Sequence, residues 1–177
     1  MVKKIVKFSL YVLFFLAAVL FFIPKVSLYY LAEKELKKYD VVVSNERVDD
    51  RGFTLSINSA NVYVKSIKSA NIVEINIKPF LLYNGVNVKN ITLADTAKSF
   101  VPLKIEQLNI EYSLFNPLNI TANAKGEFGE LEISVQVVER RVHLELQPSK
   151  LMLKSYQNTL RQLKKTENGG YVYDKVL

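Results

Sequence analysis

From Phe8 to Ile23 the chain reads FSLYVLFFLAAVLFFI, sixteen residues without a charge, and Ile5, Val6 and Pro24 extend the apolar zone. A bilayer core about 30 Å thick is crossed by roughly 20 apolar residues in helix. The pattern therefore predicts one transmembrane helix over 5–24, anchored by Phe8, Leu13, Phe14, Phe15, Leu20, Phe21 and Phe22. A cleaved signal peptide has a shorter apolar region and a small-x-small cleavage site. Here Pro24-Lys25-Val26-Ser27 follows with no Ala-x-Ala, so the segment reads as a retained anchor. Residues 25–38 continue as a juxtamembrane helix with Leu28, Leu31 and Leu36 roughly on one face, and Pro24 kinks the join because it lacks an N–H.

From Tyr39 the apolar period drops to two, and 39–148 reads as an antiparallel β domain. Val41–Val43 opens it, and Asp49-Asp50-Arg51-Gly52 is a turn. Phe53, Leu55 and Ile57 alternate with polar residues, then the parity slips after Asn58 so that Ala60, Val62 and Val64 carry the apolar face, as at a bulge. SANVYVKSIK over 59–68 and SANIVEINIK over 69–78 share their first three and last two residues. This echo suggests a ten-residue step of one strand and one turn. Pro79 marks a strand end. Phe80, Leu81 and Leu82 form an apolar plug between strands, a candidate contact for an apolar ligand or partner. Asn84-Gly85 is a tight-turn signal.

Farther on, alternating runs cover Ile105–Leu114, Leu118–Ala124, Leu131–Val137 and Val142–Leu146, giving about seven to nine strands in all. In the last hairpin Val135, Val137, Val142, Leu144 and Leu146 should share the buried face, with His143 and Glu145 outward. Residues 149–177 form a C-terminal helix and tail. Ser149 caps a helix over 150–165, whose Leu153, Tyr156, Leu160 and Leu163 recur at spacings of three and four, Gly169-Gly170 ends it, and Tyr171–Tyr173 adds a last short strand. With few helices to cover it, the sheet either closes as a sandwich or barrel, or curls into an open trough lined by apolar side chains.

Charge sharpens the topology. The chain of 177 residues carries a net +7, and Lys3, Lys4, Lys7 and Lys25 flank the apolar span. Three of these precede it, so residues 1–7 should be cytoplasmic and the β domain outside: periplasmic, if the cell has two membranes. The remaining charges scatter, and no basic stripe points to nucleic acid. There is no cysteine, hence neither disulfide nor thiol chemistry.

No reactive constellation stands out. His143 is the sole histidine and alternates against apolar neighbours, as a surface residue of a strand does. The Asp49-Asp50 pair fits a solvated turn. No phosphate-binding glycine loop or nucleophile elbow occurs. These features predict a non-enzymatic protein without cofactor or metal.

The order of elements resembles a known family. An anchor and a helix, VSLYYLAEKELKK, are followed by Val41–Val43 and Gly52-Phe53-x-Leu55-x-Ile57. A unit with paired leucines after proline runs from Ile75 to Leu93, and the chain proceeds to GEFGELEISVQVVERRVHLELQPSK. This is similar to AsmA-like envelope proteins, nearest the N component of type II secretion systems, over most of residues 1–150, although the chain is shorter than typical members. The resemblance implies a single-pass inner-membrane protein with a curved antiparallel sheet in the periplasm. Its role would be as a component or assembly factor of an envelope machine with protein partners, or in binding or transferring lipid. The family supplies no catalytic residues.

Overall fold

The computed structural model describes residues 2–80 and 82–176. Two helices lead the chain, α1 (Val2–Phe22) and α2 (Lys25–Lys37). Pro24 separates them: it sits at the N-cap of α2 with φ −76° and ψ 73°, outside helical geometry. Eleven antiparallel strands follow in one open sheet. They are β1 (Val41–Ser44), β2 (Arg47–Asp50), β3 (Leu55–Val64), β4 (Ile67–Pro79), β5 (Tyr83–Leu93), β6 (Lys104–Ser113), β7 (Asn119–Gly126), β8 (Gly129–Gln136), β9 (Arg141–Pro148), β10 (Lys164–Lys165) and β11 (Tyr171–Val176). The sheet is a meander from β3 to β9, with β11 and then β10 added beyond β9. At the other edge β1 and β2 pair in turn with the two halves of β3, like one strand interrupted at Asn45 and Glu46. α2 packs along these two strands. The sheet is open, so the closed sandwich or barrel is not formed.

Alternation along each strand becomes continuity across the sheet. One transverse row runs Val48–Ile57–Ile75–Val88–Leu108–Ala124–Leu131–Leu146–Tyr171. The next apolar row runs Leu55–Ile77–Val86–Ile110–Ala122–Ile133–Leu144–Tyr173. Between them, on the opposite face, lies Ser56–Asn76–Asn87–Asn109–Asn123–Glu132–Glu145. Successive side chains of a strand point to opposite faces, so the period-two pattern yields one apolar and one polar surface.

The parity slip expected after Asn58 is present, and it is not confined to β3. Ser59 has φ 61°, Asn45 has φ 61° and Asn90 has φ 53°, all in the left-handed region. Pairing resumes in unchanged register on both sides of this line: Asn58↔Glu74 and Ala60↔Ile72, Glu74↔Lys89 and Ile72↔Ile91, Lys89↔Gln107 and Ile91↔Ile105. Ser59, Val73, Asn90 and Glu106 thus lie side by side, one extra residue per strand. The line ends between β6 and β7, where Ile105↔Gly126 and Gln107↔Lys125 leave Glu106 as a bulge in one strand only. There a Cβ on Gly126 would stand 2.6 Å from the Lys104 carbonyl oxygen and 2.9 Å from the Ile105 Cα, so glycine is required. The line re-phases each strand. Ile105 and Leu108 are three residues apart, yet both pack on the same core cluster.

That cluster holds Ala124, Phe128, Leu146, Met152 and Leu160. Met152 and Leu160 come from two short helices, α3 (Lys150–Ser155) and α4 (Gln157–Leu160). The single helix expected over 150–165 is broken at Tyr156, whose φ −124° and ψ 34° leave helical space. Met152 and Leu160 turn inward, while Leu153, expected on the inner face, is exposed. Ser149 caps α3 as expected, its Oγ accepting from the Met152 N–H at 3.1 Å. Gly169, with φ 81°, and Gly170 turn the chain between β10 and β11 instead of ending a helix.

Three other expectations are corrected. Asn84-Gly85 is not a turn: Asn84 pairs with Pro79 and Tyr112, and Gly85 with Lys78 and Glu111, inside β5. The echoed SAN segments do not mark a strand-plus-turn step. β4 is 13 residues long and contains the whole second copy, while the first copy spans the β3–β4 hairpin. Asn61 and Asn71 face each other across it, joined at 3.1 Å. Val137 leaves the last hairpin's buried face because β8 ends at Gln136, and it is exposed in the turn.

Candidate functional site

The C-terminal end of α1 meets the sheet at one point. The Phe21 ring stands edge-on to Phe53, with centroids 5.4 Å apart and planes at 72°. It also fills the space a Cβ on Gly52 would take, and Gly52 has φ 79°, so a side chain is excluded there twice over. Lys25, 2% exposed, closes the joint. Its Nζ donates to the Phe21 and Ile23 carbonyls at 3.1 Å each and lies 3.3 Å from Asp50 Oδ1. A cation at a helix C-terminus offsets the partial negative charge of the last carbonyls. Asp50 also accepts from the Gly52 N–H at 2.9 Å. The acidic pair read as a solvated turn is therefore partly structural, and it lies in β2.

The joint fixes which end of the sheet lies beside α1. Leu55, the first residue of β3, pairs with Ile77 near the end of β4, and strand direction alternates from there to β9. The loops 51–54, 80–82, 114–118 and 137–140 therefore share the α1 end. Phe80 and Leu82 are exposed in one of them and form no plug, while Leu81 lies outside the described residues. Neighbouring loops expose Leu114, Phe115, Leu118, Val137 and Val138, with Phe115 at 82% and Val138 at 70%. The loops are tied edge to edge: Leu114 N–H donates to the Leu82 carbonyl at 3.0 Å, and Val137 N–H to that of Leu118 at 2.9 Å. Sequence reasoning passed over this rim, although apolar pairs in turns, Leu114-Phe115 and Val137-Val138, were the available signal.

Of the anchor residues, Phe8, Leu13, Phe14, Phe15, Phe21 and Phe22 are exposed and Leu20 is half-buried. α1 is long and apolar enough over Lys3–Phe22 to cross a membrane.

The apolar face is covered unevenly. α3, α4 and Val101 seal it over Ala124, Leu131 and Leu146. Toward the α1 end, Val86, Ile110, Ala122, Ile133 and Val142 are only half-buried, and no helix among the described residues spans them. The polar face is hydrogen-bonded both across and along its strands. The Asn87 amide donates to Asn109 Oδ1, and Asn76 Nδ2 to Glu74 Oε1 at 2.8 Å. The latter bond, with Lys89 nearby, holds the Glu74 carboxyl below the usual carboxylate range. Burial, with Glu46 and Glu33 nearby, pushes the Tyr29 phenol well above its ordinary value.

His143 lies on the polar face, as expected, with Nδ1 2.8 Å from Asp174 Oδ1 on β11. Among the described residues no three His, Asp or Glu side chains gather as a metal site. The most developed chemical feature is the apolar face with its exposed rim. In comparisons with known proteins, no family model, curated protein or solved structure matches the chain.

Proposed function

We propose that the chain is a non-enzymatic, single-pass protein of the inner membrane whose periplasmic β domain binds lipid along its half-covered apolar face. The observation that carries this reading is the run of Val86, Ile110, Ala122, Ile133 and Val142, half-buried and lying toward the α1 end. Acyl chains match such a surface because apolar burial is non-directional and scales with area. The basic residues Lys3, Lys4 and Lys7 before the span support a cytoplasmic N-terminus.

The full chain, reconstituted in vesicles containing a phospholipid with a photoreactive acyl chain, tests this. Adducts on β5–β8 are expected, and adducts confined to α1 would overturn it. A second reading, a component or assembly factor of an envelope machine such as type II secretion, rests on the likeness of Ile75–Leu93 to that family. Purification of the chain at native expression with no stable protein partner would remove it.

A further inference from the structure

The apolar loops at the α1 end form a surface of their own. Phe53, Phe80, Leu82, Phe115, Leu118 and Val138 are all exposed there. They come from four loops that follow every second strand, so adjacent tips lie about 10 Å apart, two interstrand spacings of about 4.8 Å each. Exposed apolar residues in one contiguous row mark a surface that is covered in use. The opposite end of the sheet differs. Its hairpin tips are Lys65-Ser66 and Glu127-Phe128, with Phe128 folded into the core. The exposed apolar residues there, Tyr39, Val64, Ile67 and Phe100, stand next to Lys38, Asp40, Lys65, Ser66, Lys68, Lys98 and Ser99.

Continuity with α1 identifies what covers the row. Phe21, in the last turn of the apolar helix, touches Phe53, the first tip. The hydrophobic surface of the helix thus meets the first of the loops. A bilayer that ends at the top of α1 ends at these tips. Arg51, Lys78, Arg140 and Arg141 border the row, with Glu139 and Asp49 among them, the latter paired with Arg51 at 3.0 Å, and this edge, basic on balance, suits anionic headgroups.

We infer that the four loops dip into the outer interface of the membrane that α1 crosses, so that the sheet stands upright on lipid with its apolar face open at the bilayer. The inference rests on the reading of α1 as a membrane span, and its test separates the two. The chain has no cysteine, so single labels can be placed at will. Full-length Phe115→Cys and Val138→Cys, each carrying an environment-sensitive fluorophore, are reconstituted in phosphatidylethanolamine–phosphatidylglycerol vesicles containing nitroxide-labelled lipid. Ser66→Cys marks the far end and Leu13→Cys the span. Expected is strong quenching by the nitroxide lipid at 13, 115 and 138, and shielding of all three from aqueous iodide, with Ser66→Cys showing neither. Quenching at 13 with 115 and 138 as open to iodide as 66 would overturn the inference and leave the span intact. No quenching at 13 would overturn both.

Discussion

Lys25 and Asp50 meet at 3.3 Å where α1 gives way to the sheet, and the two are unequally buried: the lysine side chain is 1% exposed, the aspartate 34%. Removing the aspartate strands a buried ammonium, whereas removing the lysine leaves a carboxylate that water can reach. Asp50→Asn should therefore cost about 2 kcal/mol, below the 3–5 of a wholly buried pair, because Asp50 is partly hydrated. Lys25→Met keeps the stem's volume and should cost about 1 kcal/mol. Denaturant melts of the full chain in detergent, followed by strand circular dichroism, measure the difference. Equal losses would mean the pair shares its burial.

Two glycines are predicted to resist even a methyl group. Gly126→Ala drives a Cβ against the β6 backbone at the bulge and should cost about 1–3 kcal/mol. Gly52→Ala meets both a left-handed backbone and the Phe21 ring, with a similar loss. A Phe21→Ala, Gly52→Ala double variant should lose less than the sum of the two single variants. Additive melts would show that the Phe21 ring does not press on Gly52.

The uneven cover of the apolar face makes its positions unequal. Leu146 is 5% exposed beneath α3, and Leu146→Asp should cost about 4 kcal/mol or prevent folding. Ile110→Asp, on the half-covered part, should cost less than half of that. Thermal melts decide it, and equal costs would mean that the whole face is sealed.

Glu74 should titrate below an ordinary glutamate, first through its hydrogen bond from Asn76 and then through Lys89. Asn76→Ala and Lys89→Met should each raise its midpoint, as read by carboxyl NMR, and no change in either would mean that these contacts do not hold it down. The sign follows from the depressed folded-state value. The contribution to stability is present above the unfolded-state pKa and is lost as pH falls through the lowered one.

Most of the sheet was legible because each strand buries one face, and alternation records that directly. What misled were local signals that the tertiary context overrode. Asn84-Gly85 favours a tight turn, but ladder bonds to β4 and β6 on both sides hold it extended, and the chain reverses before it, between Pro79 and Tyr83. The C-terminal helix pattern over Leu153, Tyr156, Leu160 and Leu163 was real in spacing. Sealing the core with Met152 and Leu160 nevertheless required a break at Tyr156. The joint was illegible for another reason: Lys25 and Asp50 are 25 residues apart, and nothing in the sequence links a flanking lysine to a turn aspartate. The apolar rim was visible only as stray hydrophobic residues in turns, since their alignment exists only once the meander stacks the loops.

The line of extra residues through Ser59, Val73, Asn90 and Glu106 constrains how this chain can change over time. Loss of Asn90 alone would put Ile91 and Leu93 out of phase, turning them to water and bringing their polar neighbours inward. A compensating loss in one adjacent strand would only pass the mismatch along to the next. Single-codon deletions should thus be lethal to folding anywhere along this line. Across descendants the line should persist or vanish as a unit, an inherited crease that no single strand can iron out.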